Sequence, residues 1–381
     1  MTTGDKKLLI ITHVLYRDNN PIAGPYTSVI RALEKENTIE TIKIPLFEYK
    51  DPIYYGYVQK ERKIIIPNIL WSVLPIKYLI DFVFTLILII KFLIKERGKN
   101  LTVIGIDPLC ALPAVLIKMF VKFKLVFYCV DFNEHRFNNA LLQKLYEKAD
   151  EACSKYSDQT WAVCKALIDY KKVNYNIDAK YIPNSFPFTD ECYEKNKNKK
   201  TENKIVWTGS ILTDKQITDI MRLSKQIQDI RPEMEFWYIP SNKIDLFYKG
   251  VKEFGLKYTR ILDVKGQEAS RELVSQCDLG LAIYDKDFGS TKYIEPIKIW
   301  EYMMCGLPFI ISCEPSLCAK LRESGIAFLL DSDNTINNVQ KLGVFINKQN
   351  LHGLKDKCIE LAKEFDATKT MSEALSSLST M

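Results

Sequence analysis

The sequence predicts an α/β protein of two domains, each with a parallel sheet that helices cover on both faces. Three observations lead to this prediction: strand-length apolar runs alternate with helical segments from residue 7 onward, the alternation stops near the middle of the chain, and it then restarts. Parallel strands need crossover connections, so regular alternation is typical of a parallel sheet. The 381 residues suffice for two ordinary domains, and with 47% apolar residues each could bury its own core.

The first half opens with a short apolar strand at 7–12, a polar loop and a helix at 26–35. Strand, loop and helix in this order form the first unit of a Rossmann-like sheet. The same alternation then predicts strands at 38–45, 101–106, 124–130, 159–163 and 181–182, and helices at 114–122, 141–155 and 165–174. These elements make up the first predicted domain, residues 1–188.

The most apolar segment, residues 75–97, allows two interpretations. Its middle, 82–90, carries no charge, but it is too short to span a bilayer, which needs roughly 20 residues. The segment is either a helix buried between the sheet and its neighbours or a helix at the membrane surface whose basic flanks meet lipid phosphates. The basic residues of these flanks are Lys77, Lys91, Lys95, Arg97 and Lys99.

A charged segment separates the two halves. Residues 194–204 are almost entirely Lys, Asn and Glu, so we expect a solvated linker over 189–203. The second predicted domain, 204–365, has strands at 204–207, 235–239, 261–264, 279–283 and 309–311, and helices at 214–230, 243–254, 269–275, 296–304 and 351–365. A last helix, within 366–381, is expected to pack back on the first domain.

Composition excludes several classes of function. The formal net charge of +6 is a mild excess for this length and does not imply nucleic acid as a partner. The ten cysteines form no C-x-x-C pair, and three histidines are too few for a histidine-rich site, so no metal is predicted. The first residues have too short an apolar run for a signal peptide, so we expect a cytoplasmic protein with reduced, buried thiols.

Several segments carry a family resemblance. In chain order they are 158–165 (DQTWAVCK), 181–185 (YIPNS), 205–210 (IVWTGS), 275–281 (SQCDLGL) and 296–308 (PIKIWEYMMCGLP). Together they resemble GT-B glycosyltransferases, in particular the large retaining family 4 (glycosyl transferases group 1) of bacterial polysaccharide synthesis. The resemblance implies two Rossmann-like domains facing a cleft, with the nucleotide sugar held by the second and the acceptor by the first.

The last motif also makes chemical sense unaided. Glu301 lies in a helix that Gly306 and Pro308 end, and its carboxylate could accept hydrogen bonds from two ribose hydroxyls. The alternative is a solvent-facing Glu301 paired with Lys298. The start of the same helix offers N–H groups and a positive dipole end, which suit a pyrophosphate.

A second group of residues is expected near the diphosphate. Gly209 ends a strand, where a backbone can approach phosphate closely. In the family a basic pair follows this glycine, but here Ser210 replaces the usual Arg and only Lys215 matches. Lys298, one turn before Glu301, is therefore expected to supply the second positive charge.

The donor sugar is where the chain departs furthest from the family. The family has two glutamates seven residues apart, and the earlier position is Tyr293 here, so Glu295 is the expected substitute. Gly266 is also predicted to line the nucleotide-sugar site. On the acceptor side the resemblance implies roles for Gly24, Asp131 and His135, the last as a contact to sugar or acceptor hydroxyl; the alternative for His135 is a partly exposed loop histidine.

We therefore expect a glycosyltransferase that moves a sugar from a UDP- or GDP-sugar to an acceptor hydroxyl with retention, without a cofactor. The expected acceptor is a glycan or lipid-linked sugar at the inner face of the cell membrane. Because the Arg and the first Glu are replaced, a degenerate relative that serves as a non-catalytic nucleotide-binding or adaptor subunit is the alternative. A sugar-nucleotide epimerase of the same fold is a further enzymatic alternative, but this sequence lacks the set of carboxylates and histidines expected around the cleft of such an enzyme.

Overall fold

The computed structural model describes residues 6–14, 16–17, 20–21, 24–45, 53–57, 64–66, 74–97, 100–198, 202–312, 318–330 and 339–378. The chain divides into two compact units. The first unit comprises Met1–Pro187 together with Ala367–Met381, and the second comprises Phe188–Asp366.

The first unit is built on an eight-stranded sheet of order β10-β9-β8-β7-β1-β4-β5-β6, in which β5 and β6 are antiparallel additions to a parallel core. Its strands are β1 (Lys6–Val14), β4 (Asn37–Pro45), β5 (Ile53–Tyr57), β6 (Ile64–Ile66), β7 (Leu101–Ile106), β8 (Lys124–Cys129), β9 (Gln159–Ala162) and β10 (Lys180–Tyr181), and a separate two-stranded ribbon pairs β2 (Tyr16–Arg17) with β3 (Asn20–Pro21). Its helices are α1 (Pro25–Leu33), α2 (Leu74–Lys95), α3 (Pro108–Lys118), α4 (Ala140–Tyr156) and α5 (Lys165–Tyr175).

The residues of the central strand show that this sheet is buried on both faces. Leu8, Leu9, Ile10 and Ile11 follow one another in β1 and are all fully buried, as expected where helices cover both sides of a parallel sheet. One helix boundary was predicted wrongly. The expected helix at 114–122 begins at Pro108, because a proline fits the first turn of a helix, where its missing N–H is not needed.

The second unit has a six-stranded parallel sheet of order β13-β12-β11-β14-β15-β16. Its strands are β11 (Lys204–Gly209), β12 (Glu235–Pro240), β13 (Thr259–Ile261), β14 (Leu279–Ala282), β15 (Phe309–Ile311) and β16 (Ala327–Leu329). Its helices are α6 (Glu191–Asn196), α7 (Asp214–Ile230), α8 (Ile244–Glu253), α9 (Gln267–Val274), α10 (Ile297–Met304), α11 (Cys318–Ser324), α12 (Val339–Phe345) and α13 (Lys348–Glu364), and Thr291–Tyr293 form one turn of 3₁₀ helix. The predicted α/β fold with two parallel sheets is confirmed.

Helix α6 lies inside the segment that the sequence predicts as a linker. Its Tyr193 donates a hydrogen bond to Asp356 and packs where a Cβ on Gly306 would stand, and Asn196 donates to Ser275 at 2.8 Å. Tyr193 and Asn196 thus tie this charged stretch to the second unit, which a count of charges does not reveal. Residues 199–201 of the predicted linker lie outside the described residues.

The last helix, α14 (Ala367–Leu378), belongs to the first unit. It packs against α1, and Ser377 accepts a hydrogen bond of 2.9 Å from the side chain of Gln159 on β9. The backbone N–H of Ala367, at the start of this helix, donates to the carbonyl of Phe186 in the same unit.

Helix α2 has both polar and apolar residues on its buried side, and its exposed side is aliphatic. The buried side includes an ion pair between Lys77 and Asp81, with Thr85 and Glu96 equally buried. The exposed side carries aliphatic residues such as Leu79 and Ile94. The interpretation of this helix as buried all round is therefore wrong. Among the residues that the structure describes, no helix combines the length and the apolarity that crossing a membrane requires.

Candidate functional site

The residues with the strongest chemical signal in the second unit lie on α10 and its neighbours. Glu301 is 7% exposed, and its Oε1 lies 3.6 Å from Nε of Arg271 on α9. The alternative of a solvent-facing Glu301 paired with Lys298 is therefore wrong. Sequence reasoning missed Arg271, because nothing in the spacing of α9 and α10 shows that these two helices bring their charges together.

Burial decides the protonation of this carboxyl. It raises the pKa of Glu301 from its usual 4.5 to about 7, against the opposing effect of the positive charges of Arg271 and Lys298. The group thus changes charge near neutral pH. Its Oε1 is closed off from solvent, so a ligand hydroxyl would reach this carboxyl through its other oxygen or after Arg271 moves.

A buried lysine stands at the end of β11. The Nζ of Lys298 lies 3.3 Å from the point where a Cβ on Gly209 would stand, and Gly209 has a φ of 115°, which favours glycine. The ammonium lies 4.4 Å from the ring centre of Trp207 and 5.0 Å from that of Tyr284. The two aromatic faces stabilise the cation, and the missing side chain at Gly209 leaves the backbone open beside it. This arrangement suits a phosphate group.

The start of α10 adjoins that lysine. Pro296 is the N-cap and makes no side-chain cap, and Lys298 is the second helical residue. Glu295, just before the helix, is 3% exposed, and Tyr293 is 2% exposed in the 3₁₀ turn, with Nζ of Lys292 over its ring at 4.8 Å. Glu295, the expected substitute for the first family glutamate, and Tyr293, which stands at that glutamate's position, are thus both buried and lie within five residues of Lys298 in the sequence.

Lys215 lies in a different environment from Lys298. It is half exposed, and it forms ion pairs with Asp285 at 3.3 Å and with Asp287. The hydrogen bond to Asp287 is the main reason why the pKa of Lys215 is raised. Because both partners are carboxylates, the positive charge of Lys215 is already neutralised in this conformation. The ammonium of Lys298, in contrast, lies beside Gly209.

Two further predicted residues, Ser210 and Gly266, lie where there is room for a ligand. The hydroxyl of Ser210 lies 2.7 Å from that of Ser241 and is exposed. Gly266 has a φ of 95° at the N-cap of α9, and no atom lies within 4 Å of the point where its Cβ would stand. Gly266 therefore begins the helix that carries Arg271.

In the first unit, the predicted acceptor-side residues lie at or after the carboxyl ends of strands. Asp131 follows β8, its N–H donates to Asp107 at 3.2 Å, and its carboxylate pairs with Arg136 at 3.3 Å. His135 is exposed and its N–H donates to Asn133 at 2.8 Å, which agrees with the exposed-loop alternative. Gly24 caps α1, and its N–H donates to the hydroxyl of Thr27.

Sequence reasoning missed two half-buried groups at the same strand ends. Asp107, after β7, has a φ of 73° and a ψ of 156°, a backbone conformation that non-glycine residues rarely adopt. Burial and the charge of Asp131 raise the pKa of its carboxyl. His13, in β1, has its Nδ1 3.3 Å from Sγ of Cys110, and burial lowers its pKa to about 3, so it is neutral. His13 lies near the end of the apolar strand β1 and Asp107 directly follows β7, and this position is the feature of the sequence that could have identified them.

No metal cluster is evident in the parts of the chain that the structure describes: no three His, Cys, Asp or Glu side chains converge there. The cysteines whose side chains the structure describes form no disulfide with one another, and all are buried except the partly exposed Cys192. Burial raises the pKa of thiols such as Cys129 and Cys305, which keeps them protonated and unreactive.

No protein-family model and no curated protein matches this chain. It is similar to the solved structure of sucrose-phosphate synthase from Thermosynechococcus elongatus, with a TM-score of 0.65 and 12% identity over 99% of this chain and 100% of that one. It is also similar to HepE from Anabaena in complex with UDP (TM-score 0.62, 13% identity, 97% and 100% of the chains). A third similar structure is WaaG, a glycosyltransferase involved in lipopolysaccharide biosynthesis (0.62, 11%, 96% and 98%).

These likenesses run over nearly the whole of each chain. The identities are too low to carry residue roles across, and what they show is the fold. The chain has the GT-B fold of these glycosyltransferases, which confirms the fold that its motifs predict.

Proposed function

We propose that this protein is a glycosyltransferase that transfers a sugar from a nucleotide-diphosphate sugar to an acceptor hydroxyl. The observation that carries the proposal is the buried ammonium of Lys298 beside Gly209, at the end of a parallel strand where nucleotides bind in such folds. Support also comes from HepE, solved with UDP and with UDP-glucose, and from MnaA of S. aureus, solved with UDP. UDP is therefore our first choice of nucleotide, and GDP is the second.

In the second unit, a carboxylate is proposed to bind the ribose and a cation the diphosphate. The carboxylate of Glu301 would accept hydrogen bonds from the ribose hydroxyls, held in place by Arg271. The cation of Lys298 would face the diphosphate and stabilise the negative charge that grows on it as the bond to the sugar breaks. Lys215 would join it after leaving Asp287. The residues proposed to line the rest of the donor site are Gly209, Ser210, Gly266, Tyr293 and Glu295.

The reaction needs no covalent intermediate on the protein in this proposal. As the bond between sugar and diphosphate breaks, the sugar takes on oxocarbenium character, and the acceptor hydroxyl attacks from the same face and passes its proton to the departing diphosphate, giving retention. No described residue is assigned as a nucleophile. Asp131, His135 and Gly24 of the first unit are proposed to contact the acceptor, which we expect to be a glycan or lipid-linked sugar of cell-surface synthesis on the cytoplasmic side.

Substitution of Lys298 tests the proposal directly. Lys298→Met removes the charge but keeps the length of the side chain, so UDP should bind about 10–150-fold more weakly, the equivalent of roughly 1.5–3 kcal/mol for a lost charged hydrogen bond. UMP, which lacks the second phosphate, should lose less. Isothermal titration calorimetry with UDP, GDP and UMP measures these differences.

The chain offers a matched control. Lys204, at the other end of β11, also holds its ammonium over a tryptophan, 4.9 Å from the ring of Trp237. Lys204→Met should leave UDP affinity unchanged. If Lys298→Met binds UDP as tightly as the unsubstituted protein, the diphosphate is not held where we propose.

A second candidate function is a non-catalytic nucleotide-binding subunit. Ser210 and Tyr293 favour it, since they stand where family members have an Arg and a Glu. The two candidates separate in one assay: UDP binding that depends on Lys298 without turnover of any UDP- or GDP-sugar, with simple and lipid-linked acceptors supplied, supports the subunit.

A further inference from the structure

We propose that the outward face of α2, together with the end of α3, docks on the surface of an anionic lipid bilayer. The inference goes beyond sugar transfer and involves the first unit alone. The outward face of α2 consists of Ile76, Leu79, Val83, Ile87, Ile90 and Ile94, which are between 42% and 69% exposed.

Helix α2 is apolar on its outward face as well as on its inward one, where Leu88, Ile89 and Phe92 are buried. The acidic residues of this segment, Asp81 in α2 and Glu96 just after it, are both buried, and the partner of Asp81 is the fully buried Lys77. A surface helix normally turns such charges to water and its aliphatic residues to the core. The apolar residues recur every three or four positions, so they form one stripe about 27 Å long at about 1.5 Å per residue.

Helix α3 enlarges the surface. It packs against α2 and ends in a group of exposed apolar residues. Both helices lead into the first residues of parallel strands, β7 and β8, so their carboxyl ends meet at one edge of the sheet. The exposed fractions of this second group are 39% for Leu116, 71% for Met119, 86% for Phe120 and 43% for Val121.

The charges on this surface identify its partner as anionic. Lys91, Arg97 and Lys122 are exposed at the end of the stripe and at the end of α3. Two further lysines are neutralised within the protein: Lys95 pairs with Glu40, and Lys118 with Asp158 at 2.6 Å. Lys99 lies outside the described residues. An apolar stripe with a basic end and buried acids matches a bilayer with anionic headgroups.

A bilayer fits this surface better than a second copy of the chain. Pairing two such faces would bury Lys91 and Arg97 of both copies, and the described residues of the face include no exposed acidic one to meet them, so desolvation would cost free energy without compensation. A lipid surface supplies the phosphates at the depth where these side chains extend, while the stripe enters the acyl boundary. The helix would lie in the plane of the interface.

Vesicle sedimentation of the full chain tests the proposal. We expect binding to phosphatidylcholine vesicles that contain phosphatidylglycerol, weaker binding without it, and loss of binding at high salt, because charges are screened beyond about 10 Å at 0.1 M. Lys91→Gln with Arg97→Gln should weaken binding roughly fivefold for each basic residue removed. Val83→Glu with Ile87→Glu should abolish it.

A matched control is Val173→Glu, since Val173 is a valine of the same unit that is 82% exposed on another helix, α5. It should bind vesicles as the unsubstituted protein does. No sedimentation with anionic vesicles at low salt, or binding unchanged by Val83→Glu with Ile87→Glu, would overturn the proposal. So would a dimer in solution that these substitutions dissociate. UDP affinity, measured without vesicles, reports on the proposed function separately.

Discussion

At the scale of single residues, two buried cations of the second unit have different partners. Arg271 faces a carboxyl, whereas Lys298 faces two aromatic rings and a glycine. The position of Lys298 before Glu301 could be predicted, because one turn of helix separates them. The pairing with Arg271 could not, because it joins residues thirty positions apart whose contact depends on how two helices pack.

The buried Glu301 should make stability depend on pH. Its pKa in the folded protein, about 7, is above the value of about 4.5 expected for an unfolded chain, so between these values the folded state holds a proton that the unfolded state has lost. This group therefore stabilises the fold less as pH rises from 4.5 to 7. In Glu301→Gln, the free energy of unfolding should fall less between pH 5 and pH 8 than in the unsubstituted protein. Urea denaturation measures it.

The same titration should govern nucleotide binding. If the charged carboxylate accepts the ribose hydroxyls, UDP affinity should rise from pH 6 to pH 8, and Glu301→Gln should flatten that rise. Equal pH profiles for the two proteins, in both unfolding and UDP binding, would mean that Glu301 does not titrate near neutrality.

At the scale of elements, close packing of helix on strand positions the candidate site. Gly280 on β14 lies under α10, where an added Cβ would overlap the ring of Tyr302. The hydroxyl of Tyr302 donates to the carbonyl of Leu281 at 3.0 Å, which fixes the ring on the strand. Alternating runs predicted β14 and α10, but no periodicity shows how near they lie. The helices α6, α11 and α12, of six or seven residues each, were missed because such short segments show no helical period.

Gly280→Ala should therefore destabilise the second unit by about 1–3 kcal/mol, the usual range for overpacking a core. Gly353→Ala is the matched control. Gly353 lies inside α13 with no atom within 4 Å of its missing Cβ, so the substitution should stabilise the protein by about 0.4–1 kcal/mol. Urea denaturation of both variants measures the two shifts, and two shifts of the same sign would contradict this account of the glycines.

At the scale of the whole molecule, the two halves of the sequence do not coincide with the two units. The repeated alternation of strands and helices was sufficient to predict two parallel sheets, because each sheet needs its own crossovers. The place of α6 depends on one buried tyrosine, Tyr193, and the place of α14 on its packing against α1. Neither contact leaves a periodic trace in the sequence, although a last helix within 366–381 was expected to pack on the first domain.

A chain that ends at residue 366 should separate the two units by stability. It lacks α14, so the first unit loses the partner of α1 and the hydrogen bond between Gln159 and Ser377. The second unit keeps all its elements and should bind UDP with unchanged affinity. Limited proteolysis should cut the first unit faster than in the full chain. Loss of UDP binding together with the first unit would show that the second does not fold independently.

The position of α14 also bears on synthesis. A ribosome releases the chain from its amino end, so residues 1–187 emerge first, but α14 emerges only after the whole of the second unit. The uninterrupted second unit can complete its sheet during translation, while the first waits for a helix made much later. The part that is translated first is thus the last to be finished, and until then the face of α1 that α14 covers is open to chaperones.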